Sequence, residues 1–281
     1  MTEKRGFFFY FIICFIGGFV IFHTSCKTPR KAARQFIKQI DSTTILLMPS
    51  STLIKTNLKI KEIENFQYFD DDLKDSLWNS LTYFIESVND SNFQSSFYAE
   101  VLKQMKSFGY RVYTPSQILE FISSSHANSY VIEIVQLELE EFAEWFEVDY
   151  EFIQSERLND FSLNGVTLNI WLKETLPNRD TTQKVLFTDY TNKDKVKGQY
   201  SLDFNTGELS YMLKSKMYLT QSHVDSLWLP SAKQVSQYLS DHYMNNYVSK
   251  QFKDETNLPY YTYNKVKHKI KLARGGKFTI M

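Results

Sequence analysis

Cysteine is nearly missing from this 281-residue chain: two are present, Cys14 and Cys26, and both lie near the N-terminus. Everything after Cys26 is free of thiols, so disulfide staples, cysteine nucleophiles and thiolate metal sites are excluded there. Glycine is also scarce, with nine residues, and no G-x-G-x-x-G or P-loop sequence occurs that would cradle a phosphate. The nucleophile elbow G-x-S-x-G and the Ser-x-x-Lys motif are absent too. Neither sign of charge is in excess, since 32 basic residues face 32 acidic ones. No global field therefore draws the chain to nucleic acid. Long hydrophobic runs are missing except for one, at residues 6–22.

That run defines the start of the chain. Lys4 and Arg5 precede it, and His23, Thr24, Ser25 and Cys26 follow it. A basic start, an apolar stretch and small polar residues before a cleavage point are the parts of a secretory signal. Ser25-Cys26 resembles the lipobox of bacterial lipoproteins, in the looser form of Bacteroidota-type chains. The resemblance implies that residues 1–25 are a signal peptide and that Cys26 becomes the first residue, carrying palmitate. Lys27 stands where an aspartate would mark retention at the inner membrane. An outer-membrane lipoprotein facing the periplasm, tethered through its lipid, is the implied address. At 17 residues the run also reads as an uncleaved inner-membrane helix, although Gly17-Gly18 weakens that alternative.

Residues 26–42 form the anchored segment. Thr28-Pro29 is an N-cap followed by proline at the first helical position, and Ala33, Phe36, Ile37 and Ile40 fall on one helical face. Arg30, Lys31, Arg34 and Lys38 share the helix. A basic amphipathic helix beside a lipid anchor is suited to anionic headgroups; the same stripe reads equally as one that packs on the domain.

Residues 43–253 read as a single domain of α/β to α+β class with a mixed sheet. Thr43 to Met48 is a buried strand, expected at the sheet centre, and residues 51–69 are irregular, with Leu58, Ile60 and Ile63 hinting at alternation. Asp70-Asp71-Asp72 caps a helix that carries Leu73, Leu77, Leu81, Phe84, Ile85 and Val88; capping explains this triplet better than a cation site. A second helix carries Phe93, Phe97, Val101, Leu102, Met105 and Phe108 and ends at Gly109. Residues 110–113 form a strand, Pro115 opens a helix, and residues 129–135 form another strand, which makes a strand-helix-strand rhythm. Alternation dominates residues 136–153, with Phe146, Val148, Tyr150 and Phe152 on one face of a half-exposed antiparallel strand. Strands at 165–172 and 184–188 continue this section. A hairpin turning at Gly207 comes next, and a late long helix opens at Pro230-Ser231.

Residues 254–281 form a Lys-rich tail or hairpin. Lys265, Lys267, Lys269 and Lys271 alternate with Val266, His268, Ile270 and Leu272, so as a strand this piece has one basic face. Such a face suits an anionic partner: headgroups, lipopolysaccharide phosphate, or the acidic residues 138–151 of this chain. Lysines that guard an edge strand, or a frayed tail, account for the same pattern.

Catalysis finds little support. His126, His223, His242 and His268 stand alone, without the spacing that metal ligation requires. Glu133, Glu138, Glu140, Glu141, Glu144 and Glu147 offer a glycosidase pair only in name, and they read as a solvated strand face. No cofactor and no metal is expected. The order of elements over residues 43–135 resembles the opening of periplasmic lipoproteins similar to CsgG and LpoB, which implies a binding or assembly role with an envelope protein partner. A non-enzymatic envelope lipoprotein is the leading expectation, and a tethered hydrolase acting on glycan or peptide is the alternative.

Overall fold

A computed structural model describes residues 28–124, 128–146, 161–177, 183–202, 204–207 and 209–281. The signal segment, Cys26, His126 and the alternation expected at residues 147–153 lie outside them. Helix α1 (Pro29–Lys38) leads into strands β1 (Thr44–Met48) and β2 (Leu53–Asn57). Helices α2 (Leu58–Lys61), α3 (Asp71–Leu81) and α4 (Asp90–Phe108) follow, then β3 (Arg111–Tyr113) and α5 (Ile118–Ser124). The long strands β4 (Ser129–Phe146) and β5 (Phe161–Thr175) precede β6 (Lys184–Lys193), β7 (Lys195–Leu202) and β8 (Leu209–Met217). Helices α6 (Gln221–Asp225) and α7 (Trp228–Gln251) and strands β9 (Tyr260–Asn264), β10 (Lys269–Ala273) and β11 (Thr279–Ile280) complete the order.

The main sheet runs β11-β6-β5-β4-β1-β3, and β2 also pairs with β4. β1 pairs in parallel with β3 and β4, and β2 in parallel with β4, whereas β4–β5, β5–β6 and β6–β11 are antiparallel pairs. The mixed α+β architecture expected from the pattern is what the chain adopts, with its late long helix in α7. β1, expected at the centre, lies one strand from the edge. β4 holds the centre instead, because its 18 residues pair with β1 at Ser129–Glu133 and with β2 at Leu137–Glu141 on one side and with β5 on the other. β2 was illegible because Lys55, Thr56 and Asn57 interrupt its apolar pattern.

The stretch read as two strands, 129–135 and 136–153, is continuous through Phe146. A register shift between Ile134 and Gln136 moves the buried set from even to odd positions: Tyr130, Ile132 and Ile134, then Leu137 and Leu139. A bulge of this kind disguises one strand as two. Farther along the hairpin, the Phe142 ring lies over Gly165, where an added Cβ would come within 2.2 Å of it.

One core joins α1, α4 and α7 to this face of the sheet. It contains Ala33 and Phe36 of α1, Phe93, Phe97 and Val101 of α4, and Val235, Leu239 and Tyr243 of α7. Tyr130 stacks on Tyr243 with ring centres 4.2 Å apart. Buried Ser231 and Ser236 of α7 return their hydroxyls to the carbonyls of Leu227 and Ala232. This satisfies them without a partner elsewhere and keeps the helix surface small enough for close packing.

The acid-capped helix is shorter than its apolar spacing suggests. Asp70 accepts from Leu73 N at 2.7 Å as expected, but α3 ends at Leu81, and Phe84, Ile85 and Val88 lie beyond it. The reason is Glu141. Its fully buried carboxylate accepts from the backbone N–H groups of Tyr83, Phe84 and Ile85 at 2.9, 2.9 and 3.2 Å and from Lys59 Nζ at 2.6 Å. Three N–H groups held by one carboxylate are not available to continue a helix. This also corrects the reading of the glutamates as a uniformly solvated face.

Candidate functional site

The two basic segments that looked separate in the sequence meet in space. Thr28 accepts from Lys31 N and caps α1, and Pro29 takes the first helical position. The apolar stripe of α1 is buried: Ala32, Ala33 and Phe36 face the core, with the Phe36 ring centre 5.6 Å from that of Tyr247. Of the two uses weighed for this stripe, packing on the domain is the one adopted, so α1 has no apolar face free to enter a bilayer. Arg30, Arg34 and Lys38 recur at every fourth residue and project from the helix surface.

The other wall is the β9–β10 hairpin. The lysines do not form one basic strand. Lys269 and Lys271 belong to β10, whereas Lys265 and Lys267 lie in the turn before it. His268 adopts a left-handed φ of 46° there, Lys267 N donates to Asn264 Oδ1 at 2.8 Å, and the Lys265 ammonium sits 5.3 Å from the Phe108 ring centre. A turn was needed because Ile270 is buried while Val266 and Leu272 are exposed, a pattern that no single flat strand satisfies.

A polar stripe of α7 positions the hairpin. Gln237 Nε2 donates to Tyr263 O at 2.9 Å, and Asp241 accepts from Tyr263 N at 2.9 Å and from Thr262 Oγ1 at 2.7 Å. Asn245 accepts from Tyr261 N and donates to Tyr261 O, at 2.8 and 2.7 Å. Residues i, i+4 and i+8 of the helix thus act as a neighbouring strand for β9, which satisfies an edge that would otherwise be buried unpaired. Burial raises the Asp241 carboxyl above its ordinary value, and the hydrogen bonds from Thr262, Tyr263 and Gln237 oppose that shift. None of the three residues was singled out in the sequence. Their signal was there as a Gln-x-x-x-Asp-x-x-x-Asn repeat on the helix side flanking Val235 and Leu239.

Between α1 and the hairpin lies a groove of about 640 Å³, lined by Arg30, Arg34, Lys38, His268, Lys269 and Lys271 over Ile37, Tyr263 and Ile270. Arg30 Nη2 donates to Ile270 O at 3.3 Å and ties the two walls together. Tyr263 Oη is 3.1 Å from His268 Nδ1. No carboxylate lines the groove, and among the described residues no ion pair involves Arg34, Lys38, Lys269 or Lys271. Five of the eight basic residues picked out in the sequence converge here; Lys31, Lys265 and Lys267 do not line it. Of the acidic residues considered as an internal partner, Glu138 accepts from Thr56, Glu141 from Lys59, and Glu144 pairs with Lys193, while residues 147–151 lie outside the described residues.

A second cavity, of about 510 Å³, is lined by residues of α7, the loop before β9 and the final strand, including His242, Asn246, Tyr260 and Phe278. His242, which stands alone in the sequence, has a partner. Its Nε2 is 3.2 Å from Glu174 Oε2 of β5, and both side chains are buried. The same Nε2 is 2.9 Å from Asn246 Nδ2. The Glu174 contact is an ion-pair distance without hydrogen-bond geometry, so Glu174 Oε2 and the neighbouring Tyr243 hydroxyl are buried without hydrogen-bond partners among the described residues. Burial, reinforced by the Glu174 charge, raises the Tyr243 hydroxyl well above its ordinary value. His242 Nε2 thus faces both Glu174 and Asn246. Among the described residues no cluster of three His, Cys, Asp or Glu side chains is placed to hold a metal ion.

Taken together, the fold and site define a mixed α+β protein with a cationic groove. No family model and no curated protein matches the chain. Among solved structures it is similar to a neuraminyllactose-binding hemagglutinin homolog from Helicobacter pylori, at 10% identity and a TM-score of 0.33, over 76% of this chain and 91% of that one.

Proposed function

We propose that this protein is a lipid-anchored binding protein of the cell envelope, non-enzymatic, whose basic groove holds it against anionic groups at the membrane surface. The observation that carries the reading is the convergence of Arg30, Arg34, Lys38, Lys269 and Lys271 on one groove that begins within a turn of Thr28. Cys26 lies two residues before Thr28 in sequence, so a lipid on that cysteine keeps this groove, more than any other part of the domain, near the headgroups. Each lysine or arginine near an anionic surface contributes about 1 kcal/mol of attraction, and a single acyl chain gives only marginal attachment by itself. Val266 and Leu272, 90% and 72% exposed beside the lysines, suit the boundary where headgroups meet acyl chains.

Two measurements test this. Incorporation of labelled palmitate is expected in the native chain and is expected to vanish in Cys26→Ala; incorporation that survives the substitution removes the anchor. In proteoliposomes, amine-reactive labelling of Lys38, Lys269 and Lys271 is expected to fall when phosphatidylglycerol is added to a phosphatidylcholine bilayer, while exposed Lys61 labels as before. Equal labelling of all four lysines in both bilayers removes the membrane-facing orientation.

A further inference from the structure

The groove is built for more than diffuse attraction, and we propose that it is a discrete receptor for one phosphate monoester group; this rests on the reading of the groove as an anion-binding face. Its two walls supply different donors. Arg30 and Arg34, one helical turn apart on α1, present planar guanidinium forks that pair with two oxygens at once. Lys269 and Lys271, on one side of β10, present point charges from the opposite wall, and Lys38 closes the far end. A phosphate monoester carries about −1.5 to −2 charges at neutral pH on three acceptor oxygens. It can therefore be held from both walls together, and its third oxygen and larger charge let it engage more of the five cations than a carboxylate does.

Position and packing favour a seated group over a passing one. The Arg30 guanidinium is already fixed by its bond to Ile270 O, and the hairpin is fixed by the α7 stripe, so little ordering remains when an anion enters. Five cations facing one another with no carboxylate among them repel, and a multivalent anion relieves that repulsion where a monovalent one does so only in part. A volume of about 640 Å³ exceeds a bare phosphate, and Ile37 and Ile270 in its lining leave apolar space for the carbon atoms that carry the phosphate. Phosphatidic-acid-type headgroups and soluble phosphate share this chemistry.

The test uses the full chain in a nonionic detergent, titrated calorimetrically at fixed ionic strength with inorganic phosphate, dihexanoyl phosphatidic acid and dihexanoyl phosphatidylglycerol. One-to-one saturable binding of phosphatidic acid is expected, at least tenfold tighter than the phosphodiester phosphatidylglycerol. Inorganic phosphate binding as tightly as phosphatidic acid assigns recognition to the phosphate alone; binding of phosphatidic acid without inorganic phosphate assigns it to the lipid headgroup. The double variant Arg34→Gln, Lys271→Gln is expected to lose at least tenfold in affinity with an unchanged melting temperature. Equal binding of monoester and diester, or full affinity in the double variant, overturns the proposal. Failure of palmitate labelling or of the lysine footprint would leave this titration standing, and a failed titration would leave the anchor and the footprint standing, so the two readings fall separately.

Discussion

Charge is treated in opposite ways in two regions of this molecule. At Glu141 one buried carboxylate is surrounded by an ammonium and three backbone N–H groups, with nothing left unpaired. In the groove between α1 and β10, five cations face one another and water. The first arrangement holds the chain together, because a buried charge costs least when its hydrogen bonds are complete. The second supports the fold only through the bond from Arg30 Nη2 to Ile270 O and costs a little through repulsion. The Lys59–Glu141 pair and the groove differ in exposure, and exposure decides which is structural.

Four substitutions would break or sharpen this contrast. The largest effect is expected from Glu141→Leu, which strands the Lys59 ammonium and three N–H groups; a loss of about 3–5 kcal/mol should appear as a lowered denaturant midpoint. An unchanged midpoint would mean that the 82–88 segment is held by its apolar side chains alone. Next comes Gly165→Val, which drives side-chain atoms into the Phe142 ring and should cost about 1–3 kcal/mol, read by thermal unfolding. Smaller, and opposite in sign, is Lys271→Gln: stability should stay equal or rise by up to about 0.5 kcal/mol at low salt, and the difference should disappear as salt screens the groove. A clear loss there would show that the cations support the fold.

The smallest expected change in neutral stability is from Asp241→Asn. The amide oxygen can keep the donors Tyr263 N and Gln237 Nε2, and the new NH₂ can donate to Thr262 Oγ1, since the hydroxyl reverses its role. The substitution should instead act on the pH profile. Burial raises the native Asp241 carboxyl above its ordinary value of 3.8, so the native state binds the proton more tightly than the unfolded state. This group's contribution is then full below its unfolded value and is lost as pH rises through its native value. Asp241→Asn should flatten that decline in the window opening near pH 4, measured by denaturation midpoints in a pH series.

The legible part of the fold is where local chemistry and tertiary demand agree. Thr28-Pro29, Asp70 and Gly109 mark helix ends in the sequence, and all three do so in the structure: Gly109 takes a φ of 105°, and the two polar caps accept backbone N–H groups. The illegible part is where a distant residue overrides a local pattern. Phe84, Ile85 and Val88 have helical spacing, but a carboxylate more than 50 positions away takes the N–H groups of Phe84 and Ile85. β2 has weak strand character and exists because β4 is long enough to pair with it. The bulge at Val135 hid one strand as two.

The site divides along the same line. Composition and periodicity alone determined that two basic stretches exist, one on a helix beside Cys26 and one near the C-terminus, and that neither contains thiol or motif chemistry. They could not determine that the two are one site, because Arg30 and Ile270, which touch, are 240 positions apart. That meeting depends on Gln237, Asp241 and Asn245 gripping β9, on a turn at His268 that divides the lysines, and on the core that seats α1 against α7. Sequence periodicity reports which face of an element is polar; only the packing of elements decides which polar faces confront each other.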